Sequence, residues 1–312
     1  MPHPDLTAAP AAVDLDTTLR DACALRGVPA DGARLLHHSS NAVFHLPAAD
    51  IVARLTPGDN VGDRLRATQS ITRWLADEHH FPATRPADIE PVETKTATVT
   101  FWQYYPQPNP APDPRSADLA RLLRRLHHLN QAPPTTLEAW VPLESLDTAL
   151  HDTPIKAPLS SEERRWLLDE VNRVRDDCLN LDYHLDRGLI HGDAWAGNLL
   201  RGHDDGYLLG DWDWLAWGPR EIDLIPTWHA ATRYGRGASW SAAFAAEYGY
   251  DLSSWHGFAS LLHMRDLVQL TGPLRRAATS NRHHHMLRQR FDAIRAGDPT
   301  PWTAFQPGAS TT

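Results

Sequence analysis

Three polar residues in one short stretch carry the chemistry this sequence can do: Asp193, Asn198 and Asp211. Each adjoins an apolar pair, Leu189 and Ile190 before Asp193, Leu199 and Leu200 after Asn198, Leu208 and Leu209 before Asp211. Short buried stretches of this kind hold loop ends rigidly, and catalytic groups tend to lie on such loops. One carboxylate can orient a hydroxyl and take its proton. An amide oxygen and a second carboxylate are the hard oxygen donors that magnesium prefers. An Asp, an Asn five residues on and an Asp at the end of the next strand therefore supply the set that phosphoryl transfer asks of a protein. Around them, His191 is expected to bond backbone near Asp211 and shape the loop, because a base is already present. Asp223 is expected to accept from loop N–H groups. Asp213 reads either as a substrate contact or as a solvated acid. Trp195, Trp212, Trp214 and Trp217 crowd the same segment, with Trp195 and Trp217 the candidates for touching an acceptor.

The elements that must position these residues are legible in outline. Residues 42–46 and 51–55 are short apolar runs separated by Pro47 to Asp50, a hairpin signal. Residues 68–77 suit a helix with Ile71, Trp74 and Leu75 on one face, and the β-branched and aromatic residues 96–102 a further strand. Residues 106–114 are Pro-rich and mark a lobe boundary. A helix should follow, with Ser116 as N-cap and Leu119, Leu122, Leu123 and Leu126 on one stripe. Residues 131–158 read as irregular. Ser160 and Glu163 form a capping-box pattern that opens a long helix, with Leu167, Val171, Val174 and Cys178 on its buried face. From Trp240 onward the pattern is mostly helical, with stops at Gly249 and Gly297. The fold class is α+β, a smaller β-rich N-terminal lobe followed by a larger helical one.

Residues 191–198 resemble the H-G-D-x-x-x-x-N loop of the aminoglycoside phosphotransferase and choline kinase superfamily. Asp211 and Trp212 resemble that family's magnesium Asp at the end of the following strand. Residues 218–224 are similar to its G-x-P-x-x-D-L segment, with Pro219 one place early, and Trp74, Leu75 and Ala76 followed by Phe81 and Pro82 resemble the end of its N-lobe helix. The likeness touches residues 33–225 and is strong over 189–224. It implies a bilobal protein-kinase-like fold with ATP or GTP in the cleft, and magnesium. Asp193 would be the catalytic base, Asn198 and Asp211 the metal ligands, and the acceptor a hydroxyl of a small molecule. The implied division is a flexible tail over 1–14, a nucleotide-binding N-lobe over 15–101, a hinge over 102–105, and a helical lobe with the catalytic loop and acceptor site over 106–312. Ser39, Ser40 and Asn41 would cover the phosphates, and Trp102, Gln103 and Tyr104 would lie against the adenine. Arg54 stands where the family usually has a lysine on the α- and β-phosphates. An arginine can meet phosphate there with a bidentate fork. The helix around residues 67–71 lacks the glutamate that normally holds this cation.

Composition narrows the partners. Hydrophobic residues make up 42% of the 312, which is enough for a packed core. A net charge of −9 argues against nucleic acid. No stretch approaches a membrane span, and residues 1–13 lack the pattern of a signal peptide. Two cysteines, Cys23 and Cys178, fit a reducing compartment, so a cytoplasmic location is expected. His283, His284 and His285 are consecutive on a helix, do not converge on one ion, and belong on the surface. Lys95 is expected to face solvent. From Trp214 onward seven acids face ten arginines, and six tryptophans accompany them. That balance favours a neutral or nucleoside-like acceptor, such as a hydroxylated antibiotic, over a polyamine sugar. A metabolite kinase or an aminoglycoside kinase are the alternatives within the same chemistry. A nucleotide-binding pseudokinase fits less well, because Asp193, Asn198 and Asp211 are all present. A glycosyltransferase D-x-D site at Asp211 and Asp213 would leave the 191–198 loop unexplained.

Overall fold

The computed structural model describes residues 14–38, 41–58, 61–152, 159–202 and 206–302. They divide into two compact units. One comprises the described residues within 14–107, 133–136 and 201–208, the other those within 108–132, 137–200 and 209–302.

The first unit is a five-stranded antiparallel sheet with two helices. Helix α1 (Leu15–Arg26) starts at Asp14, whose carboxylate accepts from Thr17 N at 3.2 Å, and stops at Gly27 in the left-handed conformation. Strands β1 (Arg34–His38), β2 (Ala42–Leu46) and β3 (Ile51–Pro57) follow, then helix α2 (Gly62–Asp77), strand β4 (Val92–Glu93) and strand β5 (Ala97–Gln103). The sheet order is β1-β2-β3-β5-β4. Alternation along β3 sends Ala53 and Leu55 to one face, where they join Phe44, Val99 and Phe101 against Leu19, Ala22 and Cys23 of α1. The other face carries Val43, Arg54 and Thr100 in one cross-strand row and His45, Val52 and Trp102 in the next. Helix α2 begins earlier than its apolar pattern suggested. Its Gln69 is buried and donates to the Phe101 carbonyl at 3.2 Å.

The second unit is mostly helical. In chain order it contains α3 (Ser116–His127), α4 (Glu144–His151), α5 (Ser161–Leu179) and β6 (Arg187–Ile190). The short strands β7 (Leu199–Arg201) and β8 (Tyr207–Leu209) pair with each other, with Arg201, Tyr207 and Leu208 counted in the first unit. They are followed by β9 (Ala216–Pro219), α6 (Glu221–Arg233), α7 (Ala238–Tyr248), α8 (Phe258–Val268), α9 (Thr271–Arg276) and α10 (Asn281–Ala296). Strand β9 pairs antiparallel with β6 and is extended on its other side by Ala139, with Trp140 N donating to Trp217 O at 3.0 Å. The capping box of α5 forms as expected, with Ser160 N and Glu163 N each bonded to the other's side chain, and Leu167, Val171, Val174 and Cys178 are buried. Gly249 and Gly297 end α7 and α10 in left-handed caps.

The structure departs from the sequence pattern at two places. Ser116 is the first residue inside α3 and not its cap. Arg115 takes the cap position with its N–H on Asp118, while the Ser116 hydroxyl donates to Trp240 O at 2.6 Å. Residues 131–158 are not irregular throughout. They contain α4, which buries Leu146, Ala149 and Leu150 behind the Pro and Asp residues that masked its pattern. Among the described residues, no helix is long and apolar enough to cross a membrane.

Candidate active site

Strand β6 delivers the loop 191–198, and the first turn of α6 holds its start. Asp223 has no exposure to solvent. Its Oδ2 accepts from His191 N at 2.7 Å and its Oδ1 from Gly192 N at 2.7 Å. His127 Nε2, on α3, lies 3.0 Å from the same Oδ2. A carboxylate offers only acceptors here, so that nitrogen carries the hydrogen, and His127 Nδ1 takes the Tyr248 hydroxyl at 2.8 Å. Burial pushes the Tyr248 hydroxyl above its ordinary range, which keeps it a donor. Asp223 thus ties the backbone of the loop to two helices. Gly192 is required at the turn. Its φ is +82°, and a Cβ there would lie 2.1 Å from the Trp214 carbonyl oxygen.

His191 is fully buried, and its Nε2 donates to the Gly210 carbonyl at 2.8 Å. Gly210 N in turn donates to Asn198 O at 2.9 Å. These two bonds lay the segment before Asp211 alongside the loop that carries Asp193 and Asn198. Asn198 is buried, and its Nδ2 donates to the Asp193 carbonyl at 2.9 Å, which leaves the amide oxygen for another partner. Asp211 is exposed and holds φ at +61°, an uncommon conformation for a residue with a side chain. Such a conformation costs on the order of 1 kcal/mol and clusters at functional sites. Trp212 behind it is buried, with its indole N–H on Leu209 O at 2.9 Å and its ring 4.8 Å from that of His191.

Asp193 is partly buried. Its carboxylate Oδ1 meets Arg265 Nη2 at 2.6 Å. Sequence reasoning missed Arg265. The signal was faint: Arg265 and Asp266 are adjacent charges on α8, whose other turns bury Leu261, Met264 and Leu267. Asp266 faces α6 instead and accepts from His229 Nε2 at 3.0 Å and Arg233 Nη2 at 2.5 Å. Burial pushes the Asp266 carboxyl up, but the His229 and Arg233 bonds bring it below the usual carboxylate range. Burial also lowers His229, to about 4. Glu221 is buried with Oε1 on Leu185 N at 2.6 Å, and burial pushes its carboxyl up.

Trp195 is exposed and lies over Gly197, its indole filling the space where a Cβ would stand. Trp217 is exposed on β9, and Asp213 is half-buried. In the first unit, Arg54 and Trp102 share one sheet face, Trp102 Nε1 donates to Thr100 Oγ1 at 2.9 Å, and Tyr104 stacks on His45 at 3.7 Å. Trp102 and Gln103 are the last residues of β5, and Gln103 Oε1 accepts from the Tyr105 hydroxyl. Asn41 is buried at the start of β2. Ser39 and Ser40 lie outside the described residues. Lys95 is exposed, and the three consecutive histidines lie within the first two turns of α10.

The donor set suits magnesium. Among the described residues, no three His, Cys, Asp or Glu side chains gather as a cage. Magnesium bound with a nucleotide needs only one or two protein oxygens, the rest being phosphate and water. The amide oxygen of Asn198 and the carboxylate of Asp211 are oxygen donors of that kind.

The model of the phosphotransferase enzyme family matches residues 31–259, more than half of the chain. The chain belongs to this family. It is a phosphotransferase built on the kinase-like fold. Solved structures agree on that fold at low identity. An amicoumacin kinase in complex with AMP-PNP, calcium and Ami is 14% identical, with a TM-score of 0.64 over 93% of this chain and 96% of its own. A spectinomycin phosphotransferase with ADP and spectinomycin is 14% identical, with a TM-score of 0.60 over 90% and 93%. A choline/ethanolamine kinase family protein from Mesorhizobium loti is 17% identical, with a TM-score of 0.61 over 92% and 95%. No curated protein matches the chain by sequence.

Proposed function

We propose that this phosphotransferase moves the γ-phosphate of ATP or GTP to a hydroxyl of an antibiotic whose acceptor region is neutral or nucleoside-like. Asp193 takes the hydroxyl proton. Asn198 and Asp211 hold magnesium, which when bound neutralises charge on the β- and γ-phosphates. Arg54 meets the α- and β-phosphates, and Trp102 and Tyr104 lie against the base. The observation that carries the transfer chemistry is the Asp223 clamp. By fixing His191 and Gly192, it sets Asp193, Asn198 and the segment leading to Asp211 in one cluster.

The acceptor class rests on where the acids of the helical unit are committed. Asp223 and Asp266 accept internal donors, and Glu221 is buried against Leu185 N. These three carboxylates are thereby committed inside the unit and are not offered to a polycationic sugar, whereas Trp195, Trp214 and Trp217 are exposed. Aromatic faces suit flat or apolar acceptors. The two antibiotic kinases of the same fold support a drug as acceptor. A side-by-side mass-spectrometric screen with magnesium and ATP or GTP tests this. Nucleoside-type and macrolide-type antibiotics should gain one phosphoryl group. Efficient phosphorylation of kanamycin with none of the neutral compounds would contradict the acceptor class.

A further inference from the structure

The ion pair between Arg265 and Asp193 joins α8 to the catalytic loop across 72 positions of sequence. The side chains are 12% and 28% exposed, so the pair is largely withdrawn from water and little screened. Residues 191–198 contain no Lys or Arg, and Arg265 is the cation on this carboxylate among the described residues. Helix α8 is itself pinned on both sides. His263 Nε2 lies 2.6 Å from Glu170 on α5, and Asp266 is bonded to His229 and Arg233 on α6. Arg265 is therefore presented by a fixed element. A guanidinium has five donors in a planar fork. One is on Asp193, and Nε is buried without a hydrogen-bond partner.

The geometry points to Arg265 as the residue that positions Asp193 for transfer and selects the acceptor beside it. It admits a hydroxyl flanked by an oxygen, as in a vicinal diol or a hydroxy-carbonyl compound, and rejects one flanked by an ammonium. This rests on the phosphotransferase roles proposed above. With Oδ1 held by Arg265, the acceptor O–H bond breaks toward the other oxygen, Oδ2, which takes the proton. The acceptor oxygen forms a bond to the γ-phosphorus. The bond from that phosphorus to the β–γ bridging oxygen breaks, and the nucleoside diphosphate leaves with the electron pair. An oxygen on the carbon next to the reacting hydroxyl can accept a further guanidinium N–H. An ammonium at that place has no lone pair to accept that N–H and sets a like charge beside the guanidinium, so it is disfavoured relative to an oxygen.

Arg265→Met and Arg265→Lys test this on the full chain, in two measurements. The first is single-turnover hydrolysis of magnesium-ATP, with water as the acceptor. Arg265→Met should lose about ten- to a hundred-fold in rate at an unchanged KM for ATP, because a misaligned base costs on that order. Arg265→Lys should recover part of it. A Met variant within about twofold of wild type removes the positioning role. The second is calorimetric titration with kanamycin, a polycation rich in amine-flanked hydroxyls. The Met variant should bind it about tenfold tighter than wild type, and the Lys variant should behave as wild type. A Met variant with no gain in kanamycin affinity overturns the selection. Wild-type protein that neither hydrolyses ATP nor phosphorylates any acceptor would count against the phosphotransferase roles instead, and the kanamycin titration would still decide the role of Arg265.

Discussion

Replacing Asp223 by Ala should damage the fold and the active loop together, by an amount the structure allows to be worked out. The carboxylate accepts three buried donors, from His191 N, Gly192 N and His127 Nε2. Each donor left without an acceptor costs about 1–3 kcal/mol. Three would cost about 3–9 kcal/mol, and partial relaxation with water entering the vacated space should bring this to about 3–5 kcal/mol. That is a large part of the roughly 5–15 kcal/mol that holds a typical domain folded. Asp223→Asn should cost less, because its amide oxygen can still meet one of the backbone N–H groups while its NH₂ opposes another. Two assays read the effect separately. Urea unfolding gives the stability loss, and hydrogen exchange reports the amides of His191 and Gly192 directly. Turnover in any Asp223→Ala protein that folds should fall about a hundred-fold, since small misplacements of a catalytic group cost on that order. Loss of less than about 1 kcal/mol, with loop amides still protected, would refute the clamp.

Asn198→Ala and Asp211→Ala should each raise the magnesium concentration for half-maximal activity, by roughly tenfold, because each removes one oxygen from a site that uses few. Unchanged magnesium dependence in both variants would remove them as ligands. Stability should also fall with acid through His229. Burial lowers its pKa to about 4 in the folded chain, against the ordinary histidine value of 6.5. The stability this neutral histidine contributes is complete above pH 6.5 and is lost as pH falls toward 4, because the unfolded chain takes up the proton first. At pH 5 the loss amounts to about 2 kcal/mol. In His229→Gln, which keeps a donor for Asp266, the difference between urea midpoints at pH 7 and pH 5 should shrink accordingly; an undiminished difference would assign the acid sensitivity elsewhere.

Sequence patterns exposed much of this architecture where the signal was local. The β2–β3 hairpin, strand β5, the Ser160–Glu163 box and the glycine stops of α7 and α10 all depend on residues a few positions apart. Helix α1 carried its own signals, Asp14 before it and Gly27 after it, but its mixed composition hid the apolar face. Helix α4 was masked by the prolines and aspartates around it. The catalytic loop stood out because His191, Gly192, Asp193 and Asn198 are close in sequence and unusual in combination. Arg265 did not, because nothing near it in sequence announces a partner 72 positions away. The same holds for the Asp266–His229–Arg233 group and for Gln69, whose bond to the Phe101 carbonyl is a tertiary fact.

The central claim is that Asp193 is the base of phosphoryl transfer. Asp193→Asn tests it most directly, because the substitution keeps the size of the side chain and removes its basicity. Nucleotide affinity measured by calorimetry should stay within about twofold of wild type, while the single-turnover rate of transfer falls roughly 10²–10⁴-fold. A variant that binds nucleotide normally and turns over at a near-normal rate would contradict the account.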